Sequence, residues 1–320
     1  MLWAYRVAEI SMIVLFTAGL IWMILTRARF DDGSPKAVVL VSAFLYGILL
    51  ETLNIYLSHR FYFYSRNFLF MVGEVPVFIG MGWAVIATSA REISDRLFGG
   101  DVLMGAVGDS VLAINIDLVM DAVAIRIPPD GFWTWAKLSL NEGWFGVPAG
   151  NLTGWMLVVF YFSLLMRILW KKKLGSSSKN VVGIFVVPLA SYFLFAVSNV
   201  PVILGERLIF GPSAHTLHLL FFLLLYFAFL WLFVGKILKR SMGNDVPQQK
   251  SYLKPMGKEE RLWVLSVRGF FHAFFLIVFF LLGMEKKFPS LLFVSLILLL
   301  FDWSLLSLMK PDSQGLPRKI

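Results

Sequence analysis

The sequence has no cysteine and little charge. The absence of cysteine among 320 residues excludes disulfide bonds, thiolate metal sites and cysteine nucleophiles. Charged residues make up 15% of the chain, against about 25% in a typical soluble domain, and 58% of the residues are hydrophobic. The first apolar run lacks a basic leader and a small-residue cleavage site, so we expect a retained helix there rather than a signal peptide. This composition is typical of an integral membrane protein.

Apolar runs of the length needed to cross a hydrocarbon core, about 20 residues, recur along the whole chain. We therefore predict an all-α, polytopic transmembrane helical bundle with eight or nine spans. The candidate spans are residues 4–26, 37–57, 68–90, 102–125, 152–170, 181–204, 214–235, 262–283 and 288–309. The last two are joined by only four residues, and a hairpin that does not cross is the alternative. Polar stretches at 171–180 and 241–260 divide one membrane domain into a front block, residues 1–170, and a rear block, residues 171–320.

The net charge of +9 does not indicate binding to nucleic acid, because the basic residues flank the predicted spans. Lysine and arginine at such positions usually set membrane topology. Of the 29 basic residues, 21 lie in or near the loops after odd-numbered spans and in the C-terminal tail. This bias predicts a multi-pass protein of the cell membrane with its N-terminus outside and its C-terminus in the cytoplasm. The lipid bilayer is therefore a predicted partner.

Polar side chains of the front block are predicted to converge at one depth. An ionisable residue inside a span is costly and is a functional candidate by default. At about 1.5 Å rise per residue, the predicted topology brings these side chains within roughly 12 Å of the external surface. They are Glu51 and Asn54 in span 2, Glu74 in span 3, Asp117 and Asp121 in span 4, and Asn151 at the start of span 5. Contact with headgroups or water is the alternative for Asp121 and Asn151, and Asp109 is a candidate partner for an interhelical hydrogen bond.

Aromatic residues and two histidines lie near the same end of the spans. Trp133 and Trp135 precede span 5, where an interfacial aromatic belt and the lining of a long apolar substrate are both possible explanations. His215 and His218 are three residues apart at the start of span 7, but this spacing alone is weak evidence for a metal. The chain has no nucleotide-binding glycine motif. We predict no metal and no cofactor.

Three stretches between residues 45 and 160 form a recognisable pattern. They are Gly73-Glu74-Val75-Pro76 followed by Trp83, Asp117-Leu118-Val119-Met120-Asp121-Ala122-Val123-Ala124 followed by Trp133-Thr134-Trp135, and Phe145-Gly146-Val147-Pro148 with Asn151 and Gly154-Trp155. In order and spacing they resemble the membrane-bound carotenoid biosynthesis family that contains the carotenoid 1,2-hydratases and the bisanhydrobacterioruberin hydratases. The chain departs from the family pattern at Ala122, where a proline is expected, and at Leu152-Thr153, where Phe-Leu is expected.

The resemblance implies hydration of a terminal isoprenoid C=C of an acyclic or monocyclic carotenoid to a tertiary alcohol, a hydro-lyase reaction. Such a reaction needs a carboxyl group that stays protonated in an apolar site and a second, ionised carboxylate that orients water. We predict that Asp117 or Asp121 is the acid and that Glu74 or Glu51 handles the water. Asn54 and Asn151 would orient these groups. The predicted lining of the polyene is Trp83, Trp133, Trp135 and Trp155, whose ring faces can stabilise a cation.

Two other functions fit the same polar residues. Asp117-x-x-x-Asp121 also resembles half of the aspartate signature of membrane prenyltransferases, which act on isoprenoids. Those enzymes need a second acidic motif to hold magnesium diphosphate, and the rear block has none. Buried carboxylates also serve proton-coupled transporters of hydrophobic solutes. Transporters often have repeated halves, and this chain shows no such repeat.

Overall fold

The computed structural model is an all-α bundle with two short β-ribbons. It describes residues 1–57, 62–136, 140, 142–205, 214–241 and 256–309. The helices are α1 (Leu2–Leu25), α2 (Lys36–Leu57), α3 (Val77–Phe98), α4 (Val102–Ala124), α5 (Ala149–Lys171), α6 (Ser176–Val181), α7 (Val187–Gly205), α8 (Ala214–Ser241), α9 (Lys258–Leu281), α10 (Met284–Lys287) and α11 (Pro289–Leu308). Strand β1 (Tyr62–Tyr64) pairs with β4 (Trp133–Trp135), and β2 (Met71–Val72) pairs with β3 (Val75–Pro76).

Within the described residues, eight helical segments are long and apolar enough to cross a membrane, which confirms the predicted polytopic bundle. One of the eight combines α6, a π-helical turn at Val182–Val186 and most of α7. The π-helical turn lies directly before Pro188, whose ring has no N–H to donate to the preceding turn. The last two predicted spans are separate helices, α9 and α11, each of membrane-spanning length.

The third predicted span is not among these eight segments, and its start was also wrong. Residues 68–90 were predicted, but residues 71–76 form the β2–β3 hairpin and α3 begins at Val77. Pro76 is the N-cap of α3, a position where a residue without an N–H does not interrupt the helix. Seventeen of the 22 residues of α3 are buried, and α1, α2, α4 and α9 pack around it. These neighbours shield the four charged side chains of its last turns: Arg91, Glu92, Asp95 and Arg96.

Successive long helices run in opposite directions, which gives the bundle two faces. We call the face at which α1 begins the N-terminal face. The helices α2, α4 and α9 end at this face, and α3, α5 and α11 begin there. Tyr5 of α1 donates a 2.7 Å hydrogen bond to the carbonyl oxygen of Gly131, which follows α4. At the opposite face, Lys36 of α2 forms a 2.8 Å ion pair with Glu260 of α9.

Near the opposite face, Arg167 joins α5 to α3 and α4. Its guanidinium pairs with the carboxylates of Asp95 and Asp109, the latter at 2.9 Å. It also donates to the hydroxyl oxygens of Ser94, at 2.9 Å, and Ser163, at 3.1 Å. Both serine hydroxyls in turn donate to Asp109. The predicted role of Asp109 in an interhelical hydrogen bond is therefore confirmed.

Candidate active site

A largely apolar cavity lies under the N-terminal face, and its polar residues are gathered at one end. The empty volume is about 690 Å³, including the part open to the outside. An apolar lining with a few well-placed polar groups is typical of small-molecule sites. Three of the polar residues predicted from the sequence line it, namely Glu51, Asp121 and Asn151. All four predicted tryptophans line it too: Trp83, Trp133, Trp135 and Trp155.

Two carboxyl groups from the last turns of α4 form one side of the polar end. Asn151, in the first turn of α5, donates from Nδ2 to Oδ2 of Asp121 at 2.5 Å. Asp117 lies one turn deeper on α4 and is completely buried. Its carboxyl lies beside that of Asp121, although neither of its oxygens reaches full hydrogen-bond geometry with a described residue. Asp121 therefore meets the cavity directly, and Asp117 stands behind it.

Glu51 of α2 forms the other side of the polar end. Oε1 of Glu51 accepts a 3.0 Å hydrogen bond from the indole N–H of Trp83, and Oε2 accepts one from the hydroxyl of Tyr62. The ring of Trp83 stacks on that of Trp155, with 3.8 Å between centroids and 19° between planes. A Cβ at Gly47 would lie 2.8 Å from Cβ of Trp83, so glycine is needed there for the indole to reach Glu51.

The β1–β4 ribbon closes the polar end with aromatic side chains. Tyr62 pairs with Trp135 and Tyr64 pairs with Trp133, and all four rings line the cavity. Alternate residues of a strand face the same side, and Phe63, between the tyrosines, is 48% exposed. Neither tyrosine was predicted as a site residue, since an all-helical prediction gives them no common face. Their signal was the alternation in Tyr-Phe-Tyr and Trp-Thr-Trp, which is typical of a strand.

Both tyrosines of the ribbon are hydrogen-bond donors to Glu51. Burial, together with the Glu51 carboxylate beside them, raises the pKa of Tyr62 and Tyr64 well above the ordinary value for a phenol. Their hydroxyl groups therefore keep their protons throughout the physiological pH range. A ribbon that always donates fixes the orientation of the Glu51 carboxylate.

Replacing Tyr62 with phenylalanine is expected to slow any reaction that depends on the Glu51 carboxylate about 10- to 100-fold. A hydrogen bond to a charged group contributes about 1.5–3 kcal/mol, and its loss releases one Glu51 oxygen. The matched control is Tyr56→Phe, since Tyr56 is 58% exposed. Turnover is measured per amount of folded protein. Equal turnover in the two variants would show that Tyr62 does not position Glu51.

The structure does not bring Glu74 and Asn54 to the cavity wall. Glu74 lies in the turn of the β2–β3 hairpin, 3.8 Å from Arg66, and not inside a span as predicted. Gly73 takes a positive φ of 61°, the conformation that such a tight turn requires, and this ends the apolar run as a hairpin. Asn54 lies one turn from Glu51 on α2, and its side chain bonds to Tyr62. It supports the ribbon from outside the cavity.

The histidine prediction is only partly covered by the described residues. The side chain of His215 lies outside them. His218 of α8 packs against the start of α5, where a Cβ at Gly150 would lie 3.6 Å from its Cε1. Among the side chains that the structure describes, no three His, Asp or Glu residues are arranged to hold a metal ion.

The rear block contributes side chains that sequence reasoning did not assign to the site. Four phenylalanines of α9 line the cavity: Phe270, Phe271, Phe274 and Phe275. Arg268 of the same helix makes two hydrogen bonds, of 2.6 and 2.8 Å, to Asp302 of α11, and His272 lies 2.8 Å from the same carboxylate. The spacing of Arg268 and His272, one turn apart, was the available signal for a shared partner. This cluster fixes α9 to α11 and so holds the phenylalanines in place.

Comparison with protein families gives a match over most of the chain. Residues 10–233, more than two thirds of the chain, match the family model described as carotenoid biosynthesis protein. No curated protein and no solved structure is significantly similar to the chain. Every polar residue at the cavity's polar end lies within the matched segment, whereas α9 lies beyond it.

Proposed function

We propose, because this chain belongs to the carotenoid biosynthesis protein family, that it is a multi-pass membrane enzyme that adds water to a terminal isoprenoid C=C of an acyclic or monocyclic carotenoid. The product is a tertiary alcohol. The observation that carries this proposal is the position of Asp121 and Glu51 on two sides of the polar end of an otherwise apolar, aromatic cavity. An apolar polyene fits such a lining, and only its reacting end meets ionisable groups.

Asp121 is the group we assign to proton delivery. Two adjacent carboxyl groups shielded from water share a proton readily, because two adjacent negative charges repel each other. Asp121 meets the cavity and has Asp117 behind it, so this pair can present an acidic O–H to the alkene. In the step itself, the carboxyl O–H bond breaks, the π electrons form a C–H bond at the less substituted carbon, and a tertiary cation remains.

Glu51 is the group we assign to the water molecule. A water oxygen forms the new C–O bond with the cation, and a carboxylate accepts the proton that the water loses. Glu51 is held for this role by the N–H of Trp83 and the hydroxyl of Tyr62. Return of this proton from Glu51 to the Asp117–Asp121 pair, through water, restores both groups, so the net change is the addition of one water molecule and no electrons are transferred. The reaction therefore balances without a redox partner.

The aromatic rings have a role in the same proposal. The face of an indole or phenol ring attracts a cation within about 6 Å of its centre. Trp83 and Trp155, stacked together, and the rings of the β1–β4 ribbon enclose the polar end. They would stabilise the tertiary cation and limit its contact with bulk water. The bias of basic residues toward the loops of the opposite face supports an external N-terminal face.

The proposal is tested by supplying the purified protein, in lipid vesicles, with an acyclic carotenoid in water labelled with heavy oxygen. We expect a product heavier by one or two molecules of labelled water, with the label in a tertiary hydroxyl group. Vesicles without protein are the control. Unchanged carotenoid would contradict hydration. Uptake of an unchanged solute would favour transport, and magnesium-dependent use of a prenyl diphosphate would favour prenyl transfer.

A further inference from the structure

The cavity extends from its polar end to an apolar end deeper in the bundle. At about 1.5 Å per residue, Asp121 lies roughly 5 Å along its helix from the N-terminal face. Met12 of α1, Ile86 of α3 and Phe271 of α9 also line the cavity but lie roughly 14–15 Å along their helices from that face. The polar end is therefore continuous with an apolar arm between α1, α3 and α9.

We infer that this apolar arm binds the part of the polyene next to the reacting end, and that Gly82 and the phenylalanines of α9 determine which substrates fit. This inference rests on the proposed function and adds the site that selects the substrate. The arm has an apolar lining of the kind that a conjugated hydrocarbon chain requires. One of its walls, α9, lies outside the segment matched by the family model. That wall is where this chain can differ in substrate choice while keeping the polar end.

Gly82 is the clearest sign that the arm is open space. A Cβ added at Gly82 would meet no atom within 4 Å. By contrast, a Cβ at Gly80, two residues earlier on α3, would lie 2.7 Å from Ile48. Gly80 is thus a packing glycine between α2 and α3, whereas Gly82 lines the cavity and leaves it wide.

The experiment compares Gly82→Leu with Gly269→Leu. Gly269 is an exposed glycine of α9 where an added Cβ also meets nothing, and it does not line the cavity. Both changes increase helix propensity, so neither is expected to unfold the protein. Each variant is given a full-length acyclic carotenoid and a short isoprenoid hydrocarbon with the same terminal double bond. Thermal unfolding of each variant checks the fold.

We expect Gly82→Leu to lower kcat/KM for the long carotenoid at least tenfold. For the short hydrocarbon, kcat/KM should stay within threefold of the value for the unmodified protein. One added or missing methylene in an apolar pocket changes the ratio of kcat/KM between two substrates about 10- to 200-fold. Phe271→Ala should also lower kcat/KM for the long substrate alone. Phe280→Ala should not, because the Phe280 side chain is 49% exposed. Equal effects of Gly82→Leu and Gly269→Leu, or equal loss with both substrates, would overturn the inference.

Failure of the proposed function gives a different result, because the unmodified protein would then hydrate neither substrate. The inference would still be decided by binding. A bound polyene quenches tryptophan fluorescence, and Trp83 and Trp155 line the cavity. Gly82→Leu should weaken quenching by the carotenoid at least tenfold relative to Gly269→Leu. Unchanged quenching would contradict the apolar arm as the binding site.

Discussion

Replacing Asp121 with asparagine is expected to lower the rate of formation of the hydrated carotenoid about 10²- to 10⁴-fold, which is the contribution of a positioned general acid. Asparagine keeps the shape of the side chain, and its carbonyl oxygen can still accept the hydrogen bond from Asn151. It carries no acidic proton. Asp117→Asn should act in the same direction, because it removes the carboxyl that lies beside Asp121. The measurement is the amount of alcohol formed per folded protein, separated from the parent pigment by chromatography.

Glu74→Gln is the matched control for these two variants. Glu74 lies in the β2–β3 hairpin beside Arg66 and does not line the cavity, so its neutral analogue should retain turnover within threefold. Full activity of both aspartate variants would rule out the assignment of the acid. Loss of activity in Glu74→Gln together with a fully active Asp121→Asn would move the acid to the hairpin.

The helical bundle was predictable because a bilayer fixes the length of an apolar helix. That rule predicts that the spans exist, but it does not predict the residue at which a span begins. Residues 68–76 are apolar enough to continue a helix, yet Gly73 and Pro76 turn them into a hairpin, and Glu74 leaves the span with them. The convergence of Glu51 and Asp121 on one cavity was predictable because both lie within two turns of the ends of helices whose direction alternates.

The β1–β4 ribbon and the contribution of α9 to the cavity could not be predicted from the sequence, for a different reason. Tyr62 and Trp135 are 73 positions apart, and their pairing depends on the registry of two loops that no local pattern specifies. Helix α9 is as rich in phenylalanine as a lipid-facing helix, so only the burial seen in the structure distinguishes Phe271 from the exposed Phe280. The division into a front and a rear block stays a prediction, although the cavity uses side chains from both.

Replacing Arg167 with methionine is expected to lower the free energy of unfolding by about 3–5 kcal/mol, since removing one partner of a buried ion pair leaves uncompensated charge. Here the buried carboxylates of Asp95 and Asp109 would both lose the Arg167 guanidinium, and Asp95 would keep its 3.9 Å ion pair with Arg91. Arg27→Met is the control, because Arg27 is exposed. Unfolding is followed by denaturant titration in detergent micelles. Equal unfolding midpoints for the two variants would contradict a stabilising role for the Arg167 network.

A second substitution distinguishes lost pairing from lost packing around Arg167. Asp109→Asn combined with Arg167→Met should restore part of the stability, because the neutral amide can accept from one of Ser94 and Ser163 and donate to the other, without an unpaired charge. Loss of packing alone would show no such recovery. Because Arg167 lies near the end of α5 and Asn151 near its start, the network and the polar end are roughly 24 Å apart along that helix. The folded fraction of Arg167→Met should therefore keep its turnover, whereas Asp121→Asn should lose turnover and keep its stability.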